Sequence, residues 1–425
     1  MTTLILALIL ILLALLGAPL FSIIAAIALL SFHFLGIDTS AVIVEMYRLA
    51  SAPTLIAIPL FTFAGYILAE SKSPKRLVNL SNALFGWLPG GLAIVALVTC
   101  AFFTAFTGAS GVTIVAIGGL LYPILKKEGY TENFSLGLMT SSGSLGLLFP
   151  PSLPIILYAI VAKINIDQLF LAGIIPGFLL ILLLSIYCIR TGVVAKIPKT
   201  SFNWKNLFLA LKAAIWEIPL PFIIIGGIYG GFFTATEAAA ITAFYVLIIE
   251  VFVYRDLSLF KDVPRIMKES MVLVGGILVI LGAALGLTNY LIDEQVPMKI
   301  LSFMQNFISS KILFLIMLNI LLLIVGCMMD MFSAIIVVVP LIVPIAKEFG
   351  VDPVHLGVIF LTNLEIGYFT PPVGLNLFIS SFRFEKPVLK LYVAALPFFL
   401  IYLVALLIIT YVPELSLWLV RSVGN

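Results

Sequence analysis

The sequence predicts an all-α integral membrane fold of about ten to twelve transmembrane helices arranged as two repeats. Three observations carry that expectation: an apolar composition, a series of long uncharged runs, and a pattern that recurs once along the chain. Of the 425 residues, 63% are hydrophobic and 10% charged, too little charge to cover the surface of a water-soluble body of this size. The runs at 3–16, 23–35, 88–107, 170–189, 314–329 and 394–411 are nearly free of ionisable groups. A single crossing needs about 20 apolar residues, and short polar connections leave room for many.

The first run has no basic segment before it, and a second apolar run follows Gly17-Ala18-Pro19 at once. It therefore reads as a retained span rather than a signal peptide. Cys100, Cys188 and Cys327 lie scattered in apolar segments, without the spacing of a disulfide framework or a metal quartet. A formal net charge of +3 and the absence of a basic aromatic patch exclude nucleic acid as a partner.

The stretch from Arg190 to Lys212 holds five basic residues and no acid, and a second polar stretch, 254–269, adds Arg255, Lys261, Arg265 and Lys268. About forty mostly apolar residues, enough for two crossings, separate them, so both belong on one side. Counting Lys and Arg puts that side in the cytoplasm. The first basic stretch also divides the chain into a first repeat, 1–195, a linker, 196–212, and a second repeat, 213–425. Pro123, Gly129, Gly146 and Pro150-Pro151 recur 221 residues later as Pro344, Gly350, Gly367 and Pro371-Pro372. Leu136-Gly137 recurs as Leu356-Gly357, and Tyr66 and Glu70 as Tyr290 and Glu294. Inversion is the usual relation between such halves when each carries a broken helix.

Each half contains a Pro-Pro pair inside an apolar run, preceded by glycine: Gly146 to Ser152, and Gly367 to Val373. Proline has no amide hydrogen, so these pairs leave the carbonyls of Gly146, Leu147, Gly367 and Tyr368 without their helical partners. Bare carbonyls facing lipid cost several kcal/mol each, whereas carbonyls lining a cavity can replace the hydration shell of a small hard cation. The half-helix beyond each break offers its positive end to an anion. The alternative is a pair of plain proline kinks packed among helices.

A small, hydroxyl-rich segment, Thr104 to Gly111, precedes the first break, and Gly326 to Ala334 precedes the second. The flanking arms, 92–103 and 112–121, are short for two crossings and suit a re-entrant hairpin. Asp330 stands alone in its apolar run, where a carboxylate either meets a ligand or forms a structural hydrogen bond. Glu365 and Glu237 pose the same question and could equally cap or anchor a helix. Asn363 and Asn376 could donate to a carboxylate or simply pack. His33 reads as interfacial and His355, beside Pro353, as part of a loop.

The run Gly226-Gly227-Ile228-Tyr229-Gly230-Gly231-Phe232-Phe233-Thr234-Ala235-Thr236-Glu237-Ala238-Ala239-Ala240 resembles a signature of the large membrane subunit of tripartite ATP-independent periplasmic (TRAP) transporters. The segment at 107–111, the one ending at Ser152 and Thr370-Pro371-Pro372 fit the same family, and the resemblance spans essentially the whole chain. Ala235 stands where members often carry proline, a departure confined to a helix entry. The resemblance implies an elevator-type ion transporter fold in a bacterial inner membrane, not an enzyme. It further implies sodium as the coupling ion with no other cofactor, a small organic anion as substrate, and two partners: a small four-helix membrane subunit and a periplasmic substrate-binding protein.

Carried over by motif, one sodium site involves Thr107, Ser110, Gly146, Phe149 and Pro151, and a second Gly326, Asp330, Gly367, Thr370 and Pro372. Substrate contacts fall on Ser110, Ser152, Asp330 and Asn376. Dicarboxylates, keto acids, sugar acids and sialic acids all satisfy this reading. A self-sufficient sodium–dicarboxylate symporter is the rival within transport. An intramembrane enzyme finds no His-Glu-x-x-His, Gly-x-Gly-Asp or Ser–His pair here, and a channel finds no ring-forming selectivity sequence.

Overall fold

A computed structural model describes residues 10, 12–13, 16, 18–197, 201–305, 308 and 310–423, which contain helices and no strand. The expected first span falls largely outside these residues. Among them, eight helices are long and apolar enough to cross a membrane, and a ninth crossing is the bent pair Glu132–Leu148 and Leu153–Ala162. Four shorter apolar helices accompany them, including Gly91–Thr107 and Pro353–Gly367.

One group of helices packs as a scaffold. Ala57–Glu70 lies against Ala235–Ile248, and Asp262–Asp293 lies against both Leu20–Phe34 and Ala57–Glu70. Thr234 starts the helix at Ala235 by accepting from the Glu237 amide while the Glu237 carboxylate accepts from the Thr234 amide. This capping box satisfies two orphan amides, so Glu237 is a helix cap.

The scaffold is locked at one face by Arg76. Its guanidinium donates to Glu217, Glu250 and Asp256, three carboxylates whose side chains are 1%, 0% and 4% exposed, and sits 3.7 Å from the centre of the Tyr254 ring. Lys72 reaches Asp256 from the same turn at 3.0 Å. Burial works against the Asp256 carboxylate, but hydrogen bonds from Arg76 and Lys72 outweigh it and hold the group below the usual range. Tyr254 donates to the Ala213 carbonyl at 2.6 Å, which brings the two basic stretches onto one face, as expected. The expected linker carries most of the helix Trp204–Ala213, with Asn203 as its N-cap.

The other group contains two hairpins and two breaks. The first hairpin runs through Gly91–Thr107 and Ser110–Lys127, arms longer than the sequence suggested, with Gly108 at φ +62° in its turn. A side chain on Gly108 would stand 2.5 Å from the Cβ of Leu153, so the tip lies level with the first break, as a re-entrant hairpin requires. The second hairpin, Lys311–Met328 and Met331–Glu348, meets the second break at its own tip, where the Gly374 amide donates to the Cys327 carbonyl at 3.2 Å.

Three contacts establish that the halves are inverted. Ser144 donates to the carbonyl of Glu365, its own counterpart 221 residues on, at 3.4 Å, so the two breaks meet on a shared axis. Tyr158, on the arm leaving the first break, donates to the carbonyl of Pro353, where the helix entering the second begins. Thr140, entering the first break, donates to Ser380, on the arm leaving the second, at 2.9 Å. Each entering helix therefore runs beside the other's exit, and the two approach the axis from opposite sides.

Small residues allow this close packing. Cβ atoms on Gly137 and Gly173 would lie 2.0 Å from the carbonyl oxygens of Ala394 and Leu148. His355 is buried in the helix Pro353–Gly367, with Nδ1 3.1 Å from Ser416 and Nε2 3.3 Å from the Thr410 carbonyl, rather than lying in a loop. Proline tolerates the first helical turn, so Pro353 starts this helix and does not end one.

Candidate functional site

Both breaks fall where the Pro-Pro pairs predict. The helix Glu132–Ser142 tightens into a 3₁₀ turn, Leu145–Leu148, passes through extended Phe149 and resumes at Leu153, bent by 47°. Pro353–Gly367 stops in the same way and resumes at Leu375, and both Pro-Pro bonds are cis.

The carbonyls expected to be bare are mostly occupied. Gly146 O accepts from the Phe149 amide at 3.0 Å, Gly367 O from the Thr370 amide at 3.2 Å, and Tyr368 O from the Asn376 amide at 2.8 Å. The broken chain curls into short turns whose own amides replace the missing ones. A carbonyl carries two lone pairs, so these oxygens keep one acceptor site each.

Each break lies against the hairpin of its own repeat through a glycine. A Cβ on Gly146 would fall 2.2 Å from Ala101 O and 2.5 Å from Ala105 N. A Cβ on Gly367 would fall 2.3 to 2.5 Å from the backbone of Gly326, the residue 221 positions after Ala105. Thr104 donates to Gly143 O at 2.8 Å and pairs with Thr113 at 2.6 Å, tying the first break to both hairpin arms. Gly146 thus lies one turn from Thr107 along the hairpin, and Gly326 touches Gly367, so each expected sodium group straddles one hairpin and one break. Some of its hydroxyls have local partners. Thr107 Oγ1 approaches the Ala109 carbonyl at 3.4 Å, and Thr370 donates to the Ile366 carbonyl at 2.6 Å.

Of the four expected substrate residues, one lines a cavity. A cavity of about 560 Å³ lies between the scaffold, through Tyr66, Glu70, Glu269 and Leu273, and the first hairpin tip. Ser110 lines it, together with Phe332 and Tyr368, whereas Ser152, Asp330 and Asn376 do not. Ser152 is fully buried with an unpartnered hydroxyl, and Asn376 spends its amide hydrogens on the Thr140 carbonyl at 3.2 Å. Gly108, Gly111 and Tyr368 belong to segments marked in the sequence, whereas Glu269 and Leu273 reach the cavity only through the packing of distant segments.

Asp330 is the N-cap of the returning hairpin arm. Its carboxylate accepts from the Ser333 amide at 3.0 Å and from the Ser333 hydroxyl. A structural hydrogen bond of the kind weighed for this residue is therefore present. Asparagine caps as well as aspartate, so Asp330→Asn is expected to hold uptake within about threefold of wild type. Uptake by the variant in vesicles checks this; a loss above about tenfold would assign the charge itself a role. Asn363 donates to Asn319 and to the Ile359 carbonyl, both at 2.8 Å, a packing role inside the bundle. Glu365 is fully buried where the two breaks meet, with the Leu148 backbone beside its carboxylate.

Two inverted halves, each pairing a re-entrant hairpin with a broken helix, and a cavity at the seam with a separate scaffold define a membrane transport protein. The family model for "Tripartite ATP-independent periplasmic transporter, DctM component" matches residues 5–415, and the chain belongs to that family. It is 37% identical over 382 residues to the C4-dicarboxylate TRAP transporter large permease protein DctM of Pseudomonas aeruginosa, covering 90% of this chain and 89% of that one. It is 35% identical over 417 residues to the ectoine/5-hydroxyectoine TRAP transporter large permease protein UehC of Ruegeria pomeroyi, covering 96% of each. Among solved structures, the Alcanivorax borkumensis YdaH transporter matches with a TM-score of 0.60 at 16% identity, over 91% of this chain and 88% of the other, a likeness of fold alone.

Proposed function

We propose that this chain is the translocating subunit of a sodium-coupled, binding-protein-dependent importer of a small organic anion in a bacterial inner membrane. The observation that carries the reading is the cavity between scaffold and hairpin tip, with both breaks packed behind it. In this reading the hairpins and breaks move as one body against the scaffold. Sodium binds between Thr107, Ser110, Gly146, Phe149 and Pro151, and between Gly326, Asp330, Gly367, Thr370 and Pro372, largely through main-chain oxygens. Relatives named for C4-dicarboxylate and for ectoine support a substrate bearing a carboxylate. The cavity reaches the surface at Glu70 and Glu269, on the face that carries the basic stretches, which fits a state open to the cytoplasm.

Reconstitution tests this directly. With a small membrane subunit, the matching binding protein and an inward sodium gradient, labelled substrate is expected to accumulate in liposomes. Omitting any one of the three should return uptake to background. Sodium-driven uptake by this chain alone would instead establish the self-sufficient symporter.

A further inference from the structure

The helix Trp204–Ala213 is ten residues long, too short to span a bilayer, and it is two-faced. Leu207 and Ala210 are buried where it packs on Ser73–Phe85, while Trp204 and Phe208 are 76% and 68% exposed. Trp87 and Phe202 meet edge to face beside it, and Trp216 is exposed just beyond its end. Such a helix lies in the interfacial plane, with its aromatic face in the acyl boundary.

Between this helix and Ser73–Phe85 runs a cleft of about 380 Å³ whose walls carry Asn79, Asn82, Asn203 and Asn206. The Asn203 side-chain Oδ1 accepts the Lys205 backbone amide at 2.8 Å, which leaves the side-chain amide hydrogens available to a ligand. Neither wall contains an acid: none occurs from Ser71 to Gly91 or from Arg190 to Ala213, whereas Lys75, Lys205 and Lys212 lie on the two helices that form the cleft. Amide donors beside an interfacial helix, with lysines on the same helices and aromatics at the rim, match one ligand chemistry: a phosphate diester joined to acyl chains.

We propose that this cleft binds the headgroup of an anionic phospholipid and thereby anchors the amphipathic helix, and with it the scaffold, in the cytoplasmic leaflet. The asparagines donate to phosphate oxygens, the lysines supply the charge that prefers an anionic headgroup, and Trp87 and Trp204 bracket the glycerol level. The site is separate from the translocation cavity, so its occupancy is independent of transport chemistry.

The test uses the full chain in nanodiscs of phosphatidylethanolamine with increasing phosphatidylglycerol, read by native mass spectrometry and thermal unfolding. Phosphatidylglycerol is expected to bind wild type with about tenfold preference and to raise its unfolding temperature. The variant K205Q/K212Q, altered only at exposed positions, should lose that preference while unfolding at the wild-type temperature in phosphatidylethanolamine alone. The variant N79A/N206A should bind both lipids more weakly, because the phosphate diester is common to both. Glycerol phosphate in solution should reproduce none of the stabilisation. Equal binding of both lipids, full phosphatidylglycerol preference in K205Q/K212Q, stabilisation by glycerol phosphate, or displacement of the lipid by a membrane partner protein would each overturn the proposal.

Discussion

Replacing Arg76 with methionine is expected to destabilise the scaffold by about 3–5 kcal/mol, the cost of removing one partner from a buried ion cluster. The guanidinium serves three carboxylates that are at most 4% exposed, on two separate segments, and among the described residues only Asp256 has a second cation in reach. Methionine fills similar volume but leaves Glu217 and Glu250 unpaired in a low-dielectric setting, where each must be neutralised or hydrated. Arg76→Lys keeps the charge without the fork that reaches three acceptors, and should fall in between. Arg265 provides the contrast: its bonds to Glu70 and Glu269, at 2.8 and 3.2 Å, join groups that are 41% to 46% exposed. Exposed pairs contribute about 0–1 kcal/mol, so Arg265→Gln should leave folding unchanged. Thermal unfolding and the monodisperse yield of the purified chain measure all three. An Arg76→Met protein with the wild-type unfolding temperature would show that the cluster contributes nothing.

The second large effect is expected at the glycines where hairpin and break touch. Gly146→Val and Gly367→Val place side chains where even a single Cβ would stand 2.2 to 2.5 Å from backbone atoms. Backbone cannot rotate aside as a side chain can, so hairpin and break must separate. A displacement of roughly 1 Å at a binding constellation can cost about a hundredfold in rate, and sodium-driven uptake should fall by at least that much. Gly275 and Gly276 supply the control, because a Cβ there meets nothing within 4 Å. Gly276→Ala should transport normally and gain helix stability of about 1 kcal/mol at most. Wild-type uptake by Gly367→Val would dissolve the proposed second sodium site.

The breaks were legible because proline and glycine act through the backbone of their own segment. Pro150-Pro151 and Pro371-Pro372 interrupt helices wherever the rest of the chain goes, and their recurrence exposed the repeat. The carbonyl count was less accurate for a tertiary reason: Gly146 O and Gly367 O are reclaimed by the amides of Phe149 and Thr370 once the chain curls. Asp330 shows a related limit. Its isolation in an apolar run left a ligand role and a structural hydrogen bond both open, and only the turn at the hairpin tip shows that its carboxylate caps Ser333. His355 was misplaced because Pro353 reads as a loop residue until its position at the first turn of a helix is known.

The Arg76 cluster left no trace in sequence, since its acids lie 141 to 180 residues away. Spacing of that length carries no information about proximity. Ser110 lines the cavity, but its neighbours across it, Tyr66 and Glu269, belong to scaffold helices whose approach depends on packing alone.

Composition, hydrophobic run length and the duplicated glycine–proline pattern by themselves determined a membrane-spanning protein of two halves with a broken helix in each, because solvation and backbone chemistry are local properties. Inversion of the halves, the pairing of Ser144 with Glu365, the cavity and the buried ion cluster were decided only by tertiary structure. They depend on which distant surfaces meet, and the energy of such meetings is set by shape and by the desolvation of both partners together.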